Sequence, residues 1–283
     1  MLAFHCLISY ACFLINMTLI PTRFRGKSPD GAIEAALKAA EEEAIREKKQ
    51  APQTPGNVPV ITSHGAHWHI DDMLYRGENY TADLRKCLIS DGAKKTQDEW
   101  AARYESVIDN NDFYTPDFPA LYGIIKALYT ARDDASQAAQ ITEAQEFLRS
   151  TSREKFLMTL TRIAYQPTDK DIIIHNYATR NRYEKSVDFI TLNEWIKDTG
   201  KPESYQALLD TQDSVQKINS VFFWLNGTDA HSWKVNSKPD NVIERVAEFG
   251  TNPDKVNLDC GRVPAGSGSS LWVRLHKKSG GIK

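Results

Sequence analysis

Toward the carboxyl end, two short runs alternate apolar and polar residues: Val242-Ile243-Glu244-Arg245-Val246 and Leu271-Trp272-Val273-Arg274-Leu275. A period of two turns successive side chains to opposite faces, so each run predicts a half-buried strand. Residues 247–270 between them are rich in Gly, Asn, Asp, Ser and Pro, interrupted by Val256-Asn257-Leu258-Asp259-Cys260. That composition predicts a long surface loop with at most one short irregular strand. Loops held by strands at both ends commonly carry binding side chains, because the scaffold fixes them and leaves them accessible.

Upstream the pattern falls into two regimes. Residues 156–165, 171–177 and 185–190 are short and rich in β-formers. Turn residues at Pro167-Thr168-Asp169 and Arg180-Asn181 separate them, which predicts a strand meander. Residues 192–198, 203–209 and 214–225 predict helices. In the last, Val215, Ile218, Val221, Phe222 and Leu225 share a face, Asn226-Gly227 supplies the stop, and 231–235 resumes strand. Before residue 150 the spacing is helical. Leu74, Leu84, Cys87 and Leu88 belong to one predicted piece and Trp100, Tyr104 and Val107 to a second, broken at Asp91-Gly92. Pro119 opens a helix over 120–132 with Leu121, Ile124, Ile125 and Leu128 as its buried stripe, and 136–150 follows with Ile141, Ala144, Phe147 and Leu148 inward. Phe113, Tyr114 and Phe118, in the connection before Pro119, are expected in the core rather than in a peptide groove.

Residues 31–50 are strong helix formers with a narrow apolar face, predicting an exposed helix, and 51–59, with three prolines and a glycine, read as a linker. Residues 1–20 are almost entirely apolar, with no charge before Arg23. Three readings stand. The segment is a membrane anchor of about 20 residues, with Arg23, Arg25 and Lys27 favouring a cytoplasmic downstream side. Alternatively, translation starts at Met17 and the protein is cytoplasmic. In the third, a signal is cleaved, although the charged n-region is missing. The organisation expected is therefore 1–60 as leader, exposed helix and linker, 61–150 as a helical subdomain, and 151–283 as a mixed domain. Strands, then helices, then strands with loops make the class α+β.

Composition narrows the partners. The chain has 283 residues, 41% hydrophobic and 25% charged, the make-up of a soluble globular protein. Its formal net charge of −2 gives no electrostatic reason to expect nucleic acid or an anionic membrane as main partner. Cysteines 6, 12, 87 and 260 show no CxxC spacing. Cys87 and Cys260 could pair, but buried free thiols in a reducing compartment are the expectation. Asn79-Tyr80-Thr81 and Asn226-Gly227-Thr228 match the glycosylation acceptor pattern, a match common by chance.

The candidate chemistry is sparse. His64, His67, His69, Asp71 and Asp72 form a metal-like cluster, and imidazoles with carboxylates bind zinc or iron. The run superficially resembles the HxHxD stretch of metallo-β-lactamase-type hydrolases, with its spacing offset. The blander expectation is a solvated loop entering a helix capped by Asp71 or Asp72, with Trp68 packed. A metal-dependent hydrolase using His64, His67, His69 and Asp71 is the competing functional class. His175 is expected at a strand end, packed or solvated. No Ser-His-Asp spacing or dinucleotide fingerprint is present, and 261–268 is not followed by a predicted helix, which removes a phosphate loop. Asn252, Asp254, Asn257 and Asp259 could offer oxygens to calcium, but turn chemistry explains Asn252-Pro253-Asp254. Arg245 and Arg274 are expected to make structural hydrogen bonds.

The order Arg245-Val246, a loop, Leu258-x-Cys260, a loop with Gly261-Arg262, then Leu271-x-Val273-Arg274-Leu275 resembles the C-terminal end of C-type-lectin-like domains. It is most similar to those of the formylglycine-generating-enzyme type and of the variable proteins of diversity-generating retroelements. The resemblance spans Val235 to Leu275, and Trp272 stands where the family has a small residue. Paired cysteines near the site, which a formylglycine-generating activity needs, are absent, since Cys260 stands alone there. The resemblance implies a C-type-lectin-like domain over 151–283, a twisted antiparallel sheet with flanking helices. It also implies a ligand-facing, diversified surface between Phe249 and Gly268, with Thr251, Asn252, Asp254, Lys255, Asn257, Asp259, Arg262 and Val263 as contact candidates. The function expected is binding of a protein or other macromolecular ligand, without catalysis or cofactor.

Overall fold

The computed structural model describes residues 58–188, 193–235 and 237–278. The apolar leader at 1–20, the helix expected over 31–50 and most of the linker lie outside the described residues. These hold eleven strands in two sheets and five α-helices, which makes the class α+β. Among them, no helix is long and apolar enough to cross a membrane.

The first sheet begins where helices were expected. Ile61–His64 (β1), His67–Tyr75 (β2) and Glu78–Leu88 (β3) form an antiparallel meander. Trp68 and Ile70 face inward, as do Ala82 and Leu84 opposite them, while Thr62, His67, His69 and Asp83 face the other way. The helical spacing of Leu74, Leu84, Cys87 and Leu88 is therefore coincidental, and the period-two pattern decides. Asp71 and Asp72 cap no helix. They form a bulge between Ile70 and Met73, with Asp72 at φ 57°, so the inward parity passes from Ile70 to Met73 and Tyr75.

Gln97–Val107 (α1) is a helix as its spacing predicts. Thr96 and Glu99 close a capping box that satisfies its first free amides. Phe118–Ala131 (α2) starts on Asp117, whose Oδ1 accepts the Ala120 amide at 2.9 Å. Its apolar residues are buried nearly all round, and Gly123 lets it approach β2: a Cβ there would lie 2.9 Å from the Leu74 carbonyl oxygen. Ala138–Glu154 (α3) buries Ile141, Ala144 and Leu148.

The second sheet takes up the expected meander. Leu157–Tyr165 (β4), buried at every position, pairs with Asp171–His175 (β5), which pairs with Tyr183–Val187 (β6). The short strand Glu194–Trp195 (β7) and a 3-10 turn over Ile196–Asp198 replace the helix expected at 192–198. Pro202–Leu209 (α4) and Val215–Asn226 (α5) are helices as predicted, and the Gly227 amide donates to Phe223 O at the end of α5. Ala230–Trp233 (β8), Ile243–Thr251 (β9) and Val256–Arg262 (β10) complete the order β6-β5-β4-β9-β10-β8-β7, with β10 and β8 parallel. Half of the loop expected over 247–270 is thus ordered strand. Val256, Leu258 and Cys260 are apolar side chains spaced two apart, and each is fully buried.

Leu271–Lys277 (β11) leaves that sheet and pairs with β3, making the first sheet β1-β2-β3-β11. The two runs that carry the lectin-like resemblance therefore lie in different sheets. Tyr114 exchanges both backbone hydrogen bonds with Val273, and Met158 N donates to Ser269 O at 2.8 Å. A separate helical subdomain over 61–150 is not what forms: its first three elements are strands, and the described residues make one compact unit with a continuous core. Tyr114 and Phe118 are buried in it, as expected, whereas Phe113 is buried outside it, against His67, Trp272 and Arg274. Cys260 is buried and Cys87 exposed, both as free thiols, so burial holds for one of the two.

Candidate functional site

Because β10 alternates, Asn257 and Asp259 point away from the face that holds Val256, Leu258 and Cys260. The eight contact candidates divide accordingly. Thr251 is 3% exposed and faces the opposite way, its Oγ1 lying 3.0 Å from Ser152 Oγ and donating to Arg149 O on α3. It is a packing residue, not a contact. Asn252 is structural too: its Oδ1 accepts the amides of Asp254 and Lys255, each at 2.9 Å, and so closes the β9–β10 turn. Asn257 is almost fully buried. Asp254 and Val263 are exposed, and Lys255, Asp259 and Arg262 are half-buried. Asp259 accepts the Gly261 amide at 2.8 Å, and burial raises its carboxyl above the ordinary range.

The sheet places aromatic residues beside these candidates that the sequence had marked only as strand (His231, Trp233) or as helix (Trp195). The register sets His231 next to Asn257, Trp233 next to Asp259, and Trp195 across from His231. Ala230, Ser232 and Lys234 alternate into the interior, which turns His231 and Trp233 outward. Trp233 is 51% exposed and Trp195 38%. The rings form a chain: Trp195 meets His231 edge-on at 5.1 Å, His231 lies 6.4 Å from Trp233, and Lys255 Nζ sits 5.7 Å over the Trp233 ring. His231 Nδ1 is buried without a hydrogen-bond partner among the described residues, and burial, with the nearby Lys255 charge, lowers its basicity. The available signal was the period-two pattern of 230–234, with a Trp on its polar parity.

The histidine cluster also comes together, on the outward face of the first sheet. His64, His67 and His69 share that face with Asp83 on β3 and with Arg274 and His276 on β11. They line an open depression of about 580 Å3 together with Asn111. Asp83 is its hub. Oδ2 accepts from Arg274 Nε and Nη2 at 2.9 and 2.6 Å, and Oδ1 lies 2.7 Å from His69 Nδ1. His67 and His276 stand 3.7 and 3.8 Å from the same carboxylate. Burial alone would raise the Asp83 carboxyl, but the bonds from Arg274 and His69 outweigh it and hold it low. Burial lowers His67 despite Asp83 nearby, which favours the neutral ring.

The four residues named for a hydrolase do not stay together: the three histidines share this face and Asp71 does not. Asp71 is drawn off to Lys278 Nζ at 2.6 Å and Thr81 Oγ1 at 2.9 Å, and Asp83, absent from the expected set, takes the central place. Among the described residues no three or more His, Cys, Asp or Glu side chains converge as a metal site would require. Arg274 makes structural hydrogen bonds, as expected, and stacks 4.7 Å from the Phe113 ring. His175, the other histidine considered, is fully buried, with Thr161 Oγ1 on one ring nitrogen and Ala207 O on the other. Among protein-family models, curated proteins and solved structures, none matches this chain.

Proposed function

We propose that this chain is a binding protein that holds a protein ligand on the outward side of the β7–β8–β10 edge, without catalysis. The observation that carries the proposal is the pair of exposed indoles, Trp233 and Trp195, linked through His231 and flanked by Lys255. Trp brings large rigid apolar area with one polar edge, so a half-exposed pair gains most from a partner that buries it. Such residues dominate the centres of protein interfaces, while charged groups populate the rim. Asp254, Lys255, Asp259 and Arg262 supply that rim, and Val263 adds apolar area at the end of β10. A C-type-lectin-like scaffold, with diversification across 249–268, belongs to the same proposal. Its support is the sequence resemblance over Val235–Leu275, together with antiparallel β9–β10 pairing flanked by helices.

The test compares immobilised wild type with the Trp195→Ala/Trp233→Ala double variant in extract of the source cells. A protein retained by wild type should be lost by the variant, and its Kd, once identified, should weaken by about thirtyfold or more. Equal retention by folded variant and wild type rejects the proposal.

A further inference from the structure

Glu248 belongs to neither surface already described. It lies on β9 across from Asp259 on β10 and beside Met158 on β4. Its side chain is 1% exposed, and Oε1 has no hydrogen-bond partner among the described residues. The nearest cation, Arg262 Nε, stands 3.7 Å from Oε1, beyond hydrogen-bond reach, and Arg262 Nη2 is committed to Ser267 O at 2.7 Å. Space for the carboxylate exists because residue 268 is glycine. A Cβ there would lie 3.0 Å from Glu248 Oε1 and 3.2 Å from Met158 Cβ. Gly268 is held in place by both backbone bonds to Lys95 and by Trp100 Nε1 on its carbonyl.

The carboxylate lines a cavity of about 220 Å3 whose other walls are Lys94, Lys155, Arg262, Glu154, Phe156 and the 267–269 turn. Neither Lys94 nor Lys155 has an acidic partner among the described residues, and Lys155 arrives at the end of α3 with its ammonium near Gly92. One buried acceptor without a donor and two lysines without an acidic partner, all judged among the described residues, therefore line the same small space. A buried charged acceptor is best satisfied by a cationic donor, and paired lysines by a carboxylate.

We infer that this cavity binds a free α-amino acid, its ammonium on Glu248 Oε1 and its carboxylate on Lys94 and Lys155. A volume of about 220 Å3 admits one residue-sized molecule and not a folded chain. The site borders the protein-binding edge at Arg262, but it uses neither tryptophan, and its ligand contacts are Glu248, Lys94 and Lys155. Phe156, 43% exposed, would cover the side-chain end. Burial pushes the Glu248 carboxyl up to about 7, against the Arg262 charge and with the Asp259 charge, while Glu154, Lys155 and Lys94 face it from the other walls. Capturing an ammonium group requires the ionised form, so binding should strengthen as pH rises through about 7.

The experiment is calorimetric titration of the full chain with glycine, L-serine, L-aspartate and L-glutamate, with acetate and methylamine as half-ligands. At least one amino acid should bind at least tenfold more tightly than acetate or methylamine, and more tightly at pH 8 than at pH 6. Glu248→Gln should weaken it at least tenfold and flatten the pH dependence. Lys155→Ala, at the cavity rim, should weaken it with an unchanged melting temperature and so serves if Glu248→Gln misfolds. No binding by any of the four at 10 mM (about the weakest affinity worth calling a site), acetate binding as tightly as the best amino acid, or unchanged affinity in both variants overturns the assignment. None of these outcomes bears on the Trp195/Trp233 edge.

Discussion

Asp83 and Arg274 are 191 residues apart in the chain and joined by two hydrogen bonds of 2.9 and 2.6 Å, the carboxylate almost wholly buried. The pair fastens β3 to β11 and so ties the start of the described chain to its end. Removing Arg274 takes two hydrogen bonds and the guanidinium charge from a buried carboxylate that keeps the hydrogen bond with His69. Arg274→Ala should therefore cost about 3 kcal/mol in denaturant unfolding, and a loss under 1 kcal/mol would show that the pair is not structural.

The same carboxylate sets an acid limit. Its folded pKa lies below the unfolded value, so its contribution is fully present above about pH 4 and is lost as pH falls through the folded value. The stability difference between wild type and Asp83→Asn should be constant from pH 5 to 8 and shrink below pH 4. A difference independent of pH down to 2 would contradict this sign.

His175 acts at higher pH. Burial drives its pKa down to about 4 from an ordinary 6.5, so the unfolded chain takes up a proton before the folded one does. Stability should fall as pH drops from about 6.5 to about 4, and His175→Gln should remove that part of the slope. Urea midpoints at half-unit pH steps measure it, and an equal slope in the variant rules it out.

The eight contact candidates should separate by stability. Asn252→Ala removes the acceptor of two backbone amides and should cost about 1 kcal/mol. Lys255→Ala and Val263→Ala, on the outward side, should stay within about 0.5 kcal/mol of wild type. Thermal unfolding of the three variants decides between a structural turn and a free surface.

The histidine depression should behave as a hydrogen-bonded face. Metal analysis of the purified chain should find no stoichiometric zinc or iron, and EDTA should leave the melting temperature unchanged. Stoichiometric metal lost on mutating His67 and His69 would restore the hydrolase reading.

Local pattern determined much of this protein: the helices α2, α3 and α5, with three- and four-residue apolar spacing and recognisable starts or stops, the β4–β5–β6 meander, and the α+β class. It misled where two periods competed. Leu74, Leu84, Cys87 and Leu88 imitate a helix, while the alternation of Trp68 with Ile70 and of Ala82 with Leu84 becomes decisive only once the strands pair and bury one face. Tertiary structure alone decided which candidates are exposed, because Thr251 turned inward and Trp233 outward follow from the parity of β9 and β8 within the sheet. It alone brought Glu248 to Lys155 and Asp83 to Arg274, since pairing between strands distant in the chain depends on register and crossover, and no local residue pattern encodes those.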